Sequence, residues 1–438
     1  MAEIHPFRGV RYNQRLVRDL AAVICPPYDI ISPQLQQELY HRGEYNFVRL
    51  EHGRELPQDT ATDNKYTRSA ATLEQWLKQD ILVMDKAPTI YLHDHYFTYH
   101  GKEYRRRSVT VRVRLEEWNK RVVRPHEGTL AEPRRDRVSL LWACQANTSP
   151  ILALFEDQKQ RIASLLATQD QKKPIVNLNT ADGESHKVWA ITEPEIIDQI
   201  CSHLAHQPLY IADGHHRYES ALTYQRERLT CFSSASGDEA FNFVMMTLVD
   251  FADPGLLILP PHRLVRGISR ATLDGLMVKL KLLFDIEELP LTTPDIWQKV
   301  DDLLAEKTEE ARLALFSLAG KRLLVLKLRD FAAASQMMPY FHSELYKRLD
   351  VSIADHIILE ELLGLSAGWE GTKLDYSYDR QDAVNRVLDQ EYQLTILLRP
   401  IKTGALKAVA DAGDKMPKKS TYFYPKAPAG LVFYRLVD

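Results

Sequence analysis

Asp213-Gly214-His215-His216-Arg217 places a carboxylate, two imidazoles and a guanidinium on consecutive residues of a 438-residue chain. Arg217 can fork onto two oxygens of one phosphate or carboxylate. Asp213 can hold a metal ion, a hydroxyl or a histidine, and Gly214 lets the backbone approach a ligand closely. The apolar run 208–212 ahead of this group reads as a buried strand. Tyr218, Ala221, Leu222 and Gln225 behind it repeat at helical spacing. A strand that turns through Asp-Gly into a helix presents amides that have no partner inside the helix, at the positive end of its dipole. With Arg217 beside them they make an anion cradle, and phosphate suits it best. The plainer alternative is that Asp213 caps the helix and Arg217 forms an ordinary ion pair.

Three further groups could bear on the same chemistry. His126-Glu127, between Pro125 and Gly128, offers an acid/base pair or a metal ligand. Arg124, Arg134, Arg135 and Arg137 flank it as further phosphate contacts, the alternative being a solvated charged loop. His262-Arg263 closes the apolar run 256–259, where ligand contacts often sit; a turn with a solvated basic pair is the alternative. The segment 415–426 interleaves lysine, proline and aromatic residues. Its Lys418 and Lys419 could close over an anionic ligand, or the segment is a charged edge strand. His93 and His95 lie two apart on an expected strand and share a face, which is half of a metal site with no third ligand nearby in sequence. The chain has no P-loop, no Gly-x-Gly-x-x-Gly after a strand and no Gly-x-Ser-x-Gly, so those nucleotide and hydrolase classes are disfavoured.

The elements that must position these groups read as an α+β chain of mixed sheets and helices. Ser32-Pro33 starts a helix. Residues 64–80 carry an amphipathic stripe, and 89–99 with 103–115 form a hairpin across Gly101. Helices are expected over 135–146, 156–168 and 194–206, strands over 187–191 and 241–249, and a loop over Ser233–Asp238. The tail from 372 holds strands and one helix near 381–390. We expect a main α+β domain over 1–268, a small α/β lobe over 269–345 and a segment over 346–438 that returns to the main domain. Hydrophobic residues at 45% suffice for a sizeable core. A net charge of −3 disfavours a nucleic-acid partner, and four scattered cysteines suit a reducing compartment. No apolar leader and no membrane-length apolar stretch is present, so a cytoplasmic protein is expected.

The motifs 26–31 (Pro-Pro-Tyr-Asp-Ile-Ile), 45–50 (Tyr-Asn-Phe-Val-Arg-Leu), 125–129, 212–218, 261–264 and 416–426 resemble, in this order, the DUF1015 family of bacterial and archaeal proteins, over about 5–430. A dozen residues, 208–222, are similar to the phosphate motif of the ParB/sulfiredoxin-like superfamily. That group includes CTP-binding partition proteins, ATP-using sulfiredoxin and an ADP-dependent free-serine kinase. The resemblance implies a ParB/sulfiredoxin-like core with additional α/β lobes. It makes Gly214, His215, His216 and Arg217 phosphate contacts and Asp213 an acid near a transferred phosphoryl group. His215 stands where sulfiredoxin has its cysteine, which argues against sulfinic-acid reduction.

The resulting expectation is a nucleotide-dependent phosphotransferase acting on a small hydroxylated metabolite such as serine. ATP or ADP would be the donor and Mg²⁺ the bridge, with Asp213 or Glu127 handling the acceptor's proton. His126, His262, Arg263, Lys418 and Lys419 would hold further oxygens. Alternatives are a non-catalytic nucleotide- or metabolite-binding regulator and a phosphatase of a phosphorylated metabolite.

Overall fold

The computed structural model of the chain describes residues 2–231, 237–305, 310–317, 322–365 and 371–437. The fold is α+β, and it comprises two compact units. The first holds residues 1–125, 129–257 and 425–438; the second holds 126–128 and 258–424. The boundaries expected at 268 and 345 both fall inside the second unit.

The first unit is organised by a nine-stranded mixed sheet. Its strands are β1 (Ile4–His5), β2 (Ile90–Tyr99), β3 (Lys102–Arg114), β4 (Val123–Arg124), β5 (Ile151–Phe155), β6 (Val176–Asn179), β7 (Ser185–Ile191), β8 (Leu209–Asp213) and β9 (Phe243–Asp250). They run in the order β4-β8-β5-β9-β3-β2-β7-β6, with β1 added to β3. The β4–β8 and β5–β9 pairs are parallel and the other pairs antiparallel. Side chains alternate across a strand, and both faces here are covered. Ile90, Leu92, Val109, Val111, Val113, Leu209 and Ile211 pack in one apolar cluster, and Tyr91, Val188 and Met245 in another.

Helices cover these faces. Helix α1 (Pro33–Arg42) starts where expected, with Ser32 Oγ accepting from the Leu35 N–H at 3.1 Å. Helix α2 (Lys65–Lys78) opens with a capping box between Asn64 and Thr67 and buries Leu73 and Trp76. Helix α3 (Ala131–Cys144) buries Leu140 and Leu141 against the same cluster. Helices α4 (Pro194–Ala205) and α5 (His215–Cys231) bury Ile197, Ile200, Leu204, Tyr218 and Leu222 on the opposite face. The expected helix over 156–168 is confined to Arg161–Ala167, because Lys159 and Gln160 take left-handed φ of 63° and 53° that no helix accommodates. Of the loop expected over Ser233–Asp238, the part up to Ser236 lies outside the described residues.

Residues 425–437 complete this unit. Val10 and Phe433 exchange backbone hydrogen bonds of 2.9 and 3.0 Å, Cys25 and Ala429 exchange bonds of 3.2 and 2.8 Å, and Tyr434 pairs with Asn147.

The second unit is built on an antiparallel six-stranded sheet. Its strands are β10 (His262–Val265), β11 (Phe284–Pro290), β12 (Arg312–Ser317), β13 (Arg322–Leu328), β14 (Leu374–Ser377) and β15 (Leu394–Leu397), in the order β11-β13-β12-β15-β10-β14. The helix expected near 381–390 is found at Arg380–Leu388. A second helix in the tail, Thr403–Ala412, was not expected from sequence. Among the described residues no helix is long and apolar enough to cross a membrane.

Candidate functional site

The 208–217 segment folds as its pattern dictates. Strand β8 ends at Asp213, Gly214 follows at a φ of +98°, and α5 begins at His215. The pairing of β8 with β5 shifts register between Ile211 and Asp213, a bulge that re-aims the strand's last side chain. A Cβ built on Gly214 would stand 2.9 Å from Arg217 Nε and 3.1 Å from its Cζ, so the glycine leaves room for the guanidinium to fold back over the turn.

There Arg217 pairs with Asp213 and donates to the Pro150 carbonyl at 2.5 Å. The other oxygen of Asp213 accepts from Lys426, whose ammonium also lies 3.7 Å from Asp29. Burial acts to raise the Asp213 pKa. The charges of Lys426 and Arg217 outweigh it, and the carboxyl lies well below the usual range. Arg217 Nε is buried and has no hydrogen-bond partner among the described residues. A buried donor without an acceptor costs about 1–3 kcal/mol, which an anion lying over the turn would remove.

A second guanidinium belongs to the same unit. Arg137, on α3, lies 3.9 Å over the Tyr28 ring, pairs with Asp136 and donates to the Glu51 carbonyl at 3.0 Å. The Glu51 carboxylate is fully buried and accepts from Thr148 Oγ1 at 2.5 Å and Ser149 Oγ at 2.8 Å. Burial pushes the Tyr28 phenol up to about 12, so it stays protonated. A small cavity of about 30 Å³ opens here, with Arg137, Arg217, Thr148 and Ser149 among its polar lining and Leu140, Leu141 and Ile151 among its apolar lining.

The other residues singled out from sequence are placed as follows. His215 is buried, and His216 Nε2 accepts from the Leu130 N–H at 2.9 Å. In the second unit His126 is fully buried with its Nε2 3.0 Å from Thr421 Oγ1, and Glu127 accepts from the Lys419 backbone N–H at 3.0 Å. Lys418 and Lys419 are exposed. His262 Nδ1 accepts from the Leu398 N–H, and burial with Arg263 nearby pushes its pKa down to about 3. Arg263 is fully buried. It grips Asp355 through two bonds of 2.8 and 2.9 Å, and donates to the Lys419 carbonyl.

Sequence reasoning singled out the cradle and the 415–426 segment as one that could close over an anion, but it placed that role on Lys418 and Lys419 rather than Lys426, and it did not bring Asp29, Glu51, Thr148 or Ser149 to the site. Lys426 stands 213 residues from Asp213, and no local periodicity links them. Its signal was its place at the end of the stiff, lysine-punctuated segment 415–426, between Pro425 and Pro428.

Three solved structures share part of the chain's course. A conserved hypothetical protein from Pyrococcus furiosus is 13% identical, covering 75% of this chain and 95% of its own, with a TM-score of 0.35. A free serine kinase in complex with AMP is 12% identical, covering 72% and 86%, with a TM-score of 0.36. SbnI from Staphylococcus aureus, truncated at its C-terminus, is 11% identical, covering 70% and 81%, with a TM-score of 0.33. Likeness at this level says nothing of activity. No curated protein matches the chain. A family model does match, over residues 4–352. The chain belongs to the DUF1015 family, described as proteins of unknown function.

Proposed function

We propose that the Gly214 turn binds the phosphates of a nucleotide, ATP or ADP, and that the protein transfers a phosphoryl group to a small hydroxylated metabolite such as serine. The observation that carries this reading is the buried, unpartnered Nε–H of Arg217 beside a cavity that Arg137 also lines. Phosphoryl transfer asks for positioning and charge neutralisation more than for covalent chemistry. Arg217, Arg137 and Lys426 supply fixed cations.

Asp213 in this scheme holds Arg217 and Lys426 in place. Both its oxygens accept from cations, and its depressed pKa makes it a weak base. Asp29, whose carboxylate is partly exposed, is the residue able to share a magnesium ion brought by the nucleotide. Such an ion would neutralise charge on the transferring oxygens. Glu127 is the other carboxylate expected to take the acceptor's proton. It belongs to the second unit, and the variant Glu127→Gln tests it separately.

The engaged state of Asp213 favours a second reading, a regulator that binds the nucleotide or metabolite without turning it over. The two readings separate in one experiment. Nucleotides with Mg²⁺ are screened by thermal shift, and serine and related alcohols are then followed by phosphorus NMR. We expect a shift with ADP or ATP, a phosphorylated product, and at least ~10-fold weaker nucleotide binding in Arg217→Gln, the loss of one charge-assisted contact. Binding without product would favour the regulator. Absence of a shift with every nucleotide would sink the phosphotransferase and the nucleotide-binding regulator alike, and absence of a shift with the metabolites as well would sink the regulator altogether.

A further inference from the structure

The first unit carries a second polar cluster that the phosphate site does not use. On one face of the sheet, β7, β2 and β3 bring His186, His95 and Arg106 side by side, with His186 opposite His95 and His95 opposite Arg106. His93, two residues along β2, shares that face, and Glu184 stands at the entry to β7. His95 Nε2 lies 2.7 Å from Glu184 Oε2, His186 Nε2 lies 3.8 Å from the same oxygen, and the three ligand atoms are all within 4.8 Å of one another. His95 and His186 are almost wholly buried, whereas the Glu184 side chain keeps 20% exposure and opens the cluster to solvent.

We propose that His95, Glu184 and His186 form a binding site for a divalent transition-metal ion of the zinc class, with a coordination position left for water or a ligand. Two imidazoles and one carboxylate are a recognised donor set for zinc with an open position, and they favour transition metals over magnesium. Ligand atoms ~2.0–2.1 Å from a tetrahedral zinc stand roughly 3.4 Å apart. The 2.7 Å contact therefore has to open by less than 1 Å and the 3.8 Å contact to close slightly.

The surroundings set the protons. His93 Nε2 lies 3.1 Å from His186 Nδ1. When it accepts the Nδ1 proton, it leaves the Nε2 lone pair of His186 free for an ion, as outer-shell partners of ligating histidines commonly do. Arg106 can only donate, and it approaches His95 Nδ1 at 3.1 Å, so without an ion His95 carries its proton on Nε2 and gives it to Glu184. Metal binding moves that proton to Nδ1. Arg106, whose Nη2 also donates to the Pro425 carbonyl at 2.8 Å, would then have to give up its contact with the ring.

The test uses the full chain stripped with a chelator and titrated with Zn²⁺ against a chromophoric competitor. The expected result is one ion per chain, at least ~10-fold weaker binding in His186→Gln and in Glu184→Gln, and unchanged binding in Arg217→Gln. Co²⁺ loaded on the unaltered protein should give the strong visible bands of a four- or five-coordinate site, which keeps the proposal testable if a variant does not fold. Substoichiometric binding, variants that bind as the parent does, or a cobalt spectrum as weak as that of the hydrated ion would each overturn it. Zinc binding and nucleotide binding are read separately, so either proposal can fail alone.

Discussion

At the scale of single residues, Gly214 decides the candidate site. Its φ of +98° is left-handed, and the guanidinium of Arg217 occupies the space that a side chain would take. Gly214→Ala therefore meets backbone strain and a displaced arginine together. We expect a loss of ~1–3 kcal/mol in urea unfolding, with Arg217 forced off its contact with Asp213. A stability equal to that of the parent would show that the turn can relax without cost. The glycine, the aspartate and the arginine were legible because their roles are local: a turn, a strand end and a first helical turn. Lys426 was not, since a charge pair closed across 213 residues has no period to betray it. The same holds for the metal cluster. His93 and His95 are visible as a spaced pair, but His186 and Glu184 reach them only through the β2–β7 register.

Elements were most readable where the sequence carries its own punctuation. Helix α2 was expected over 64–80 and lies at 65–78, because Asn64 and Thr67 form a reciprocal cap and Leu73 and Trp76 mark the buried stripe. Asn64 Oδ1 accepts from the amides of Tyr66 and Thr67 at 3.0 and 3.2 Å. Asn64→Ala should cost about 1 kcal/mol by thermal or urea unfolding and leave nucleotide and zinc affinity unchanged. A change in either affinity would tie the helix to a site it does not touch. The hairpin across Gly101 was equally plain, with β2 and β3 pairing from Tyr91–Thr110 to Tyr99–Lys102. The helix Thr403–Ala412 carries no such mark, since its cap residue Lys402 makes no side-chain cap. Strand β5 carries no signal of its own, because its five apolar residues form a short buried run with no alternation to read.

At the scale of the whole molecule, acid should weaken the fold earlier than carboxylate titration alone would. His262 is neutral in the folded state, its pKa pushed to about 3 by burial and by Arg263 and Arg380, with Asp379 opposing weakly. Unfolded, it titrates near 6.5, so between those values the unfolded chain holds more protons and stability falls as pH falls. From pH 6.5 to 5 this one group should remove roughly 2 kcal/mol. Asp213 acts in a different window. Its folded pKa is depressed, so its contribution is present above about 4 and is lost only below that. The variant His262→Asn offers the Leu398 amide another acceptor. Urea unfolding at pH 7 and pH 5 should lose less stability in it than in the parent, and equal losses would rule out His262 as a source. The whole molecule also has an order in time. Asp213 is translated 213 residues before Lys426, which at ~5–20 residues per second is roughly 10–40 seconds. The nascent carboxylate waits that long with Arg217 as its nearby cation, and the strands that Phe433 and Ala429 complete wait with it. A ribosome that stops short of residue 425 would release a chain holding most of the sheet but not the cation that balances its candidate site.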